Sequence, residues 1–140
     1  MGRDAASTDR HSISTPAPDL EARVALAGMV TRLMDHWRLP VADQAELLGL
    51  SGRGARQSIG RYRNGAPLGT SRDLQDRVGH LLAIHKSLRI LFPHNRELAY
   101  RWMTQPNRHF SGLTPVEAVK QNGFLGLISI RRYLDFERGR

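Results

Sequence analysis

The chain has no cysteine among its 140 residues. That excludes a disulfide framework, a thiolate nucleophile and any Cys-ligated zinc or iron–sulfur site, and it leaves a reducing cytosol open to the protein. No apolar run approaches the roughly 20 residues that cross a bilayer. Met1-Gly2-Arg3-Asp4 begins no apolar h-region, and Ala6 stands where a myristoylation signal takes Ser or Thr, so a cytoplasmic protein without lipid anchor is expected. Lysine is almost missing: of 21 basic residues only Lys86 and Lys120 are not arginine. The planar guanidinium suits phosphate and carboxylate, although a GC-rich genome produces the same bias. Acids are also few, 13, giving a net charge of +8.

The charge is unevenly placed. Residues 1–50 carry a net −2, whereas residues 51–72 carry five arginines (Arg53, Arg56, Arg61, Arg63, Arg72) and no acid. Residues 73–128 are net +3 and residues 129–140 net +2. A dense basic segment without internal counter-charge is either a solvated face or a nucleic-acid contact.

Residues 1–18, rich in Ser, Thr, Pro and Ala, read as a disordered arm. From Asp19 the pattern is helical throughout, and no stretch alternates long enough for a strand. Leu20, Val24, Ala27, Val30, Met34 and Trp37 form one apolar stripe that ends before Pro40. A short helix from Val41 to Leu48 follows. After the turn Gly49–Gly52, capped by Ser51, a third helix is expected from about Arg53 to Arg63, with Ala55, Ile59 and Tyr62 inward and Arg53, Arg56, Gln57 and Arg61 outward. Thr70-Ser71-Arg72-Asp73 resembles a capping box and opens the clearest helix, Asp73 to Phe92, with Leu74, Val78, Leu81, His85, Leu88 and Phe92 at four- and three-residue steps. Further helices are expected over Arg96–Thr104, from the capping box Thr114-Pro115-Val116-Glu117 to Asn122, and over a last segment carrying Leu127, Ile130 and Leu134 up to Gly139. The fold class is all-α, a helical bundle with an N-terminal helix-turn-helix, divided as an arm (1–18), a helix-turn-helix domain (19–93) and a C-terminal helical subdomain (94–140).

Two helices joined by a glycine-containing turn, the second with Arg and Gln outward, suit the major groove, since Arg pairs with guanine and Gln with adenine. Arg53, Arg56, Gln57, Arg61 and Arg63 are therefore the candidate DNA-binding residues. Gly52, Gly54 and Gly60 count against a rigid recognition helix, each interior Gly costing about 1 kcal/mol relative to Ala. No catalytic site emerges: the six histidines show no metal-ligand spacing, there is no P-loop, and Asp135 and Glu137 diverge on their helix. Neither metal, cofactor nor enzymatic activity is expected.

The run Trp102-Met103-Thr104-Gln105-Pro106-Asn107, then Gly112-Leu113-Thr114-Pro115-Val116-Glu117, resembles the toxin-binding domain of the Xre/MbcA/ParS antitoxin family, whose pattern reads W-L-x-x-P-N, then G-x-T-P-x-E. The resemblance implies the antitoxin of a type II toxin–antitoxin pair, made beside a RES-domain toxin that consumes NAD or transfers ADP-ribose. It further implies that the antitoxin covers the toxin's active site and represses its own operon; a homodimer within a toxin–antitoxin hetero-oligomer, contacting operator DNA, is expected. The residues free to reach a toxin are then at the chain end: Arg131, Arg132, Tyr133, Asp135, Glu137, Arg138, Gly139 and Arg140. Acids there would meet the electropositive pyrophosphate pocket, and arginines its acidic rim. The other reading is a free-standing transcriptional repressor whose C-terminal half only oligomerises.

Overall fold

The structure, a computed structural model, describes residues 19–140; the arm expected over residues 1–18 lies outside them. The described residues form seven α-helices and no strand: α1 Leu20–His36, α2 Val41–Leu47, α3 Ala55–Arg63, α4 Arg72–Leu91, α5 Arg96–Arg101, α6 Pro115–Asn122 and α7 Phe124–Arg138. None is long and apolar enough to cross a membrane.

Most helix starts follow from local chemistry. The side chains of Asp19, Ser71 and Asn95 accept from Ala22 N, Leu74 N and Leu98 N, satisfying amides the helix leaves unpaired. Thr114 and Glu117 close a reciprocal capping box at 3.0 and 2.8 Å, with Pro115 in the first turn. Two expected boundaries are corrected. Helix α3 begins at Ala55 rather than Arg53, because Gly52 sits at φ +86°, a backbone no right-handed helix contains; Gly54, not Ser51, is its N-cap and no side chain caps it. Helix α5 stops at Arg101 and tightens into a 3₁₀ turn, Trp102–Thr104, since Pro106 holds Gln105 extended at φ −104°, ψ 141°.

The long helix α4 is the spine, with α1 and α5 against it and α7 along much of its length. One continuous cluster of buried apolar side chains runs from Ala27, Val30 and Met34 on α1 through Ile59, Leu81 and Leu88 to Leu127, Ile130 and Leu134 on α7. The apolar stripe read on α1 is only partly used: Ala27, Val30, Met34 and Trp37 are buried, but Leu20 remains 62% exposed and Val24 half-buried. Helices α6 and α7 meet at Gly126, where a Cβ would stand 2.8 Å from both the Ala118 carbonyl oxygen and Val119 Cα.

Candidate functional site

Two surfaces hold the residues singled out by sequence. On α3, Ile59 and Tyr62 turn into the core, and that forces Arg56, Gln57 and Arg61 outward, where all three are exposed; Arg53, in the turn before the helix, is exposed as well. Arg61 donates to Ser58 Oγ at 2.9 Å. Arg63 behaves differently. Its guanidinium bridges to Asp35 on α1 through Nε (3.1 Å) and Nη2 (2.8 Å), and Nη2 also reaches Gln44 Oε1 on α2 at 3.0 Å. Gln44, buried, donates in turn to Asp35 and to the Leu39 carbonyl. Burial pulls the Asp35 carboxyl upward, but hydrogen bonds from Arg63 and Gln44 and the nearby positive charge outweigh it and hold the group below its ordinary range. Arg63 is thus the tie between α1, α2 and α3, and the counter-charge missing from residues 51–72 comes from a helix far away in sequence.

The second surface is α7. Leu127, Ile130 and Leu134 face inward, so the opposite stripe, Leu125, Ser129, Arg132 and Phe136 at steps of four, three and four, faces out and all four are exposed. Leu125 is 71% and Phe136 66% exposed. Beside them an open groove of about 320 Å³ is lined by His109, Ser129, Arg132, Tyr133 and Phe136. Its wall is aromatic: Tyr133 stacks on His109 (centroids 4.1 Å apart) and lies nearly parallel to Trp102 (6.3 Å), with Phe110 edge-on at 5.8 Å. The loop carrying His109 and Phe110 is shaped by Asn107, whose side chain accepts from His109 N while its backbone exchanges with Gly112 and Leu113.

The other chain-end candidates are engaged within the molecule. Arg131 donates to His80 Nδ1 at 2.9 Å, Arg138 to Ser87 Oγ at 3.2 Å, and Arg140 to Glu137 at 3.0 Å. Gly139 caps α7. Only Arg132 and Asp135 of the eight stand exposed without an ion-pair or hydrogen-bond partner among the described residues. Leu125 and Phe136 are not among the sequence-predicted site residues: the apolar periodicity of α7 points to the residues it buries, and these two lie on its outer stripe. Among the described residues no group of three or more His, Asp or Glu side chains is placed to hold a metal ion.

Two histidines bear on stability. His80 is held below its usual value by burial and by Arg131, against a smaller opposing effect of Asp76; His85 by burial, Arg89 and His36. A histidine depressed in the fold favours the folded state above its unfolded value near 6.5, and that contribution is lost as pH falls through the folded value. Thermal unfolding is expected to show lower stability at pH 5.5 than at pH 7.5. His80→Gln, which keeps an acceptor for Arg131, is expected to lose less; an identical loss would exclude His80 as a contributor.

The last helix of this all-helical protein thus exposes an aromatic and apolar face beside Arg132. Residues 87–140 match the family model described as the antitoxin Xre/MbcA/ParS C-terminal toxin-binding domain. The chain is also similar to the uncharacterized protein y4oB of Sinorhizobium fredii (strain NBRC 101917 / NGR234), 33% identical over 126 residues that span 90% of this chain and 94% of that protein. The chain therefore belongs to the same family as y4oB, and its C-terminal residues 87–140 carry the match to the antitoxin toxin-binding domain.

Proposed function

We propose that this protein is the antitoxin of a type II pair, a homodimer that binds a RES-domain toxin through α7 and its flanking loop, occludes the active site, and represses its operon through α3. The observation that carries the toxin half is the outer stripe of α7, Leu125, Ser129, Arg132 and Phe136, within the segment that matches the toxin-binding domain. Large apolar side chains left in water on an otherwise packed helix are what a partner covers. Asp135 supplies the acid for an electropositive nucleotide pocket. Arg56, Gln57 and Arg61, exposed on a helix whose N-terminus no side chain caps, and Arg53, exposed in the turn before it, support contact with phosphates and base edges.

The test is co-expression with the product of the adjacent gene, which this reading makes a RES-domain toxin. The full chain is expected to co-purify with it and to suppress its NAD consumption or ADP-ribosyl transfer. Leu125→Ser with Phe136→Ser is expected to fold normally, surface changes altering stability by about 0.5 kcal/mol at most, and to weaken inhibition by roughly tenfold or more, equivalent to about 1.4 kcal/mol of binding free energy. Unchanged inhibition would remove α7 from the interface. A chain that ignores the toxin yet binds its own promoter would be a free-standing repressor.

A further inference from the structure

We infer that the outer face of α1 is the surface on which two copies of this chain pair, antiparallel, about a two-fold axis passing between positions 26 and 27. This rests on the homodimer of the reading above and names where it forms. Glu21, Ala25, Gly28 and Arg32 recur at steps of four, three and four, with Val24 and Met29 beside them, and none of the six is buried. They lie opposite Ala27, Val30 and Met34, which fill the core. Met29 is 45% exposed, and an open groove of about 460 Å³ runs along Val24, Ala25, Gly28, Met29 and Arg32 to the end of α3.

The occupant follows from the sequence of the face itself. A two-fold axis pairs each residue with the one equally far on the other side of the centre. Here that sets Glu21 opposite the second copy's Arg32, Val24 opposite its Met29, and Ala25 opposite its Gly28. An acid meets a base, an apolar side chain meets an apolar one, and the two smallest residues coincide where the axes come closest. Glu21 and Arg32 are separated by roughly 16 Å along the helix, so each end of the pair is closed by a charge pair of opposite sense. In the single chain the Arg32 guanidinium lies over Gly28, 3.1 Å from where a Cβ would be; in the pair it extends to the partner's carboxylate and uncovers Gly28 for contact. The four-three-four spacing is that of helices crossing at a shallow angle, 8–10 Å apart.

The experiment is sedimentation equilibrium of the full chain and its charge-swap variants, with helix content followed by circular dichroism. The unaltered chain is expected to be a dimer. Glu21→Arg and Arg32→Glu are each expected to raise the dimer dissociation constant about tenfold or more, and the doubly swapped chain to return to the original value, since like charges then become opposite again. Ala25→Arg, which blocks the centre without touching the pairs, is expected to give monomer. A monomeric unaltered chain would overturn both the homodimer and this face. A dimer indifferent to the single swaps and to Ala25→Arg, or single swaps that the double variant does not rescue, would overturn this face alone. Single swaps that abolish toxin capture while the dimer persists would assign the face to the toxin and overturn the proposal.

Discussion

Gly126→Ala is expected to weaken toxin capture and to lower the melting temperature together. The added methyl has nowhere to go: it would lie 2.8 Å from the backbone of Ala118 and of Val119, and neither can rotate away as a side chain would. Helix α6 has to shift, and with it the buried faces of Val116, Val119, Leu127 and Ile130. Overpacking of this kind costs about 1–3 kcal/mol, on the order of 5 °C for a chain of this size. The same shift tilts α7, and the groove between His109 and Phe136 changes shape. The contrast with Leu125→Ser/Phe136→Ser is diagnostic, because that pair removes apolar surface from the interface without disturbing packing. Scanning calorimetry alongside a capture assay separates them. A Gly126→Ala protein with an unaltered melting temperature would mean that α6 and α7 are not held as close as the structure places them.

The helices were legible in the sequence to the extent that their ends are set by neighbours in the chain. Asp19 and the Thr114–Glu117 box act over three residues, so reading them needs no tertiary knowledge; at α4 the sequence suggests a box from Thr70 to Asp73, whereas Ser71 caps the helix by accepting from Leu74 N. The boundary at Ala55 was missed because Ser51 has the chemistry of a cap, while the left-handed Gly52 that separates it from the helix has no side chain to announce itself. Of the candidate surfaces, the outward arginines of α3 were legible because Ile59 and Tyr62 fix the helix rotation. The role of Arg63 was not: its partner Asp35 is 28 positions earlier, and a charge count within residues 51–72 is blind to it. Tyr133 is a similar case. Its setting depends on Trp102, in the turn that ends α5, and on His109, brought in by a loop whose course Asn107 determines only once folded. The chain end looked free because it is arginine-rich, yet Leu134, 1% exposed, and the hydrogen bonds of Arg131 and Arg138 anchor it along α4. The outer stripe of α7 could have been found by asking what apolar residues remained after the core stripe was filled.

The difference between Arg63 and the outward arginines on and just before α3 sets the largest effect expected at the surface proposed to face DNA. Replacing Arg53, Arg56 and Arg61 together by alanine is expected to flatten the dependence of operator affinity on salt by up to roughly 2.7 in log–log slope, about 0.9 for each phosphate no longer neutralised. Arg63→Ala is expected to leave the slope nearly unchanged, since its guanidinium is already occupied by Asp35 and Gln44. Its effect falls on stability instead: removing a bidentate, half-exposed pair costs up to about 1 kcal/mol, and the angle between α1, α2 and α3 loses its tie. Affinity then drops by a similar factor at every salt concentration, the signature of a helix held less firmly. Asp35→Asn separates the two roles further, for it alters no residue of the DNA-facing surface and is expected to reproduce the Arg63→Ala behaviour. A slope that falls with Arg63→Ala by as much as with Arg56→Ala would show that Arg63 leaves Asp35 to reach phosphate, and a slope unmoved by the triple replacement would take α3 out of DNA binding altogether.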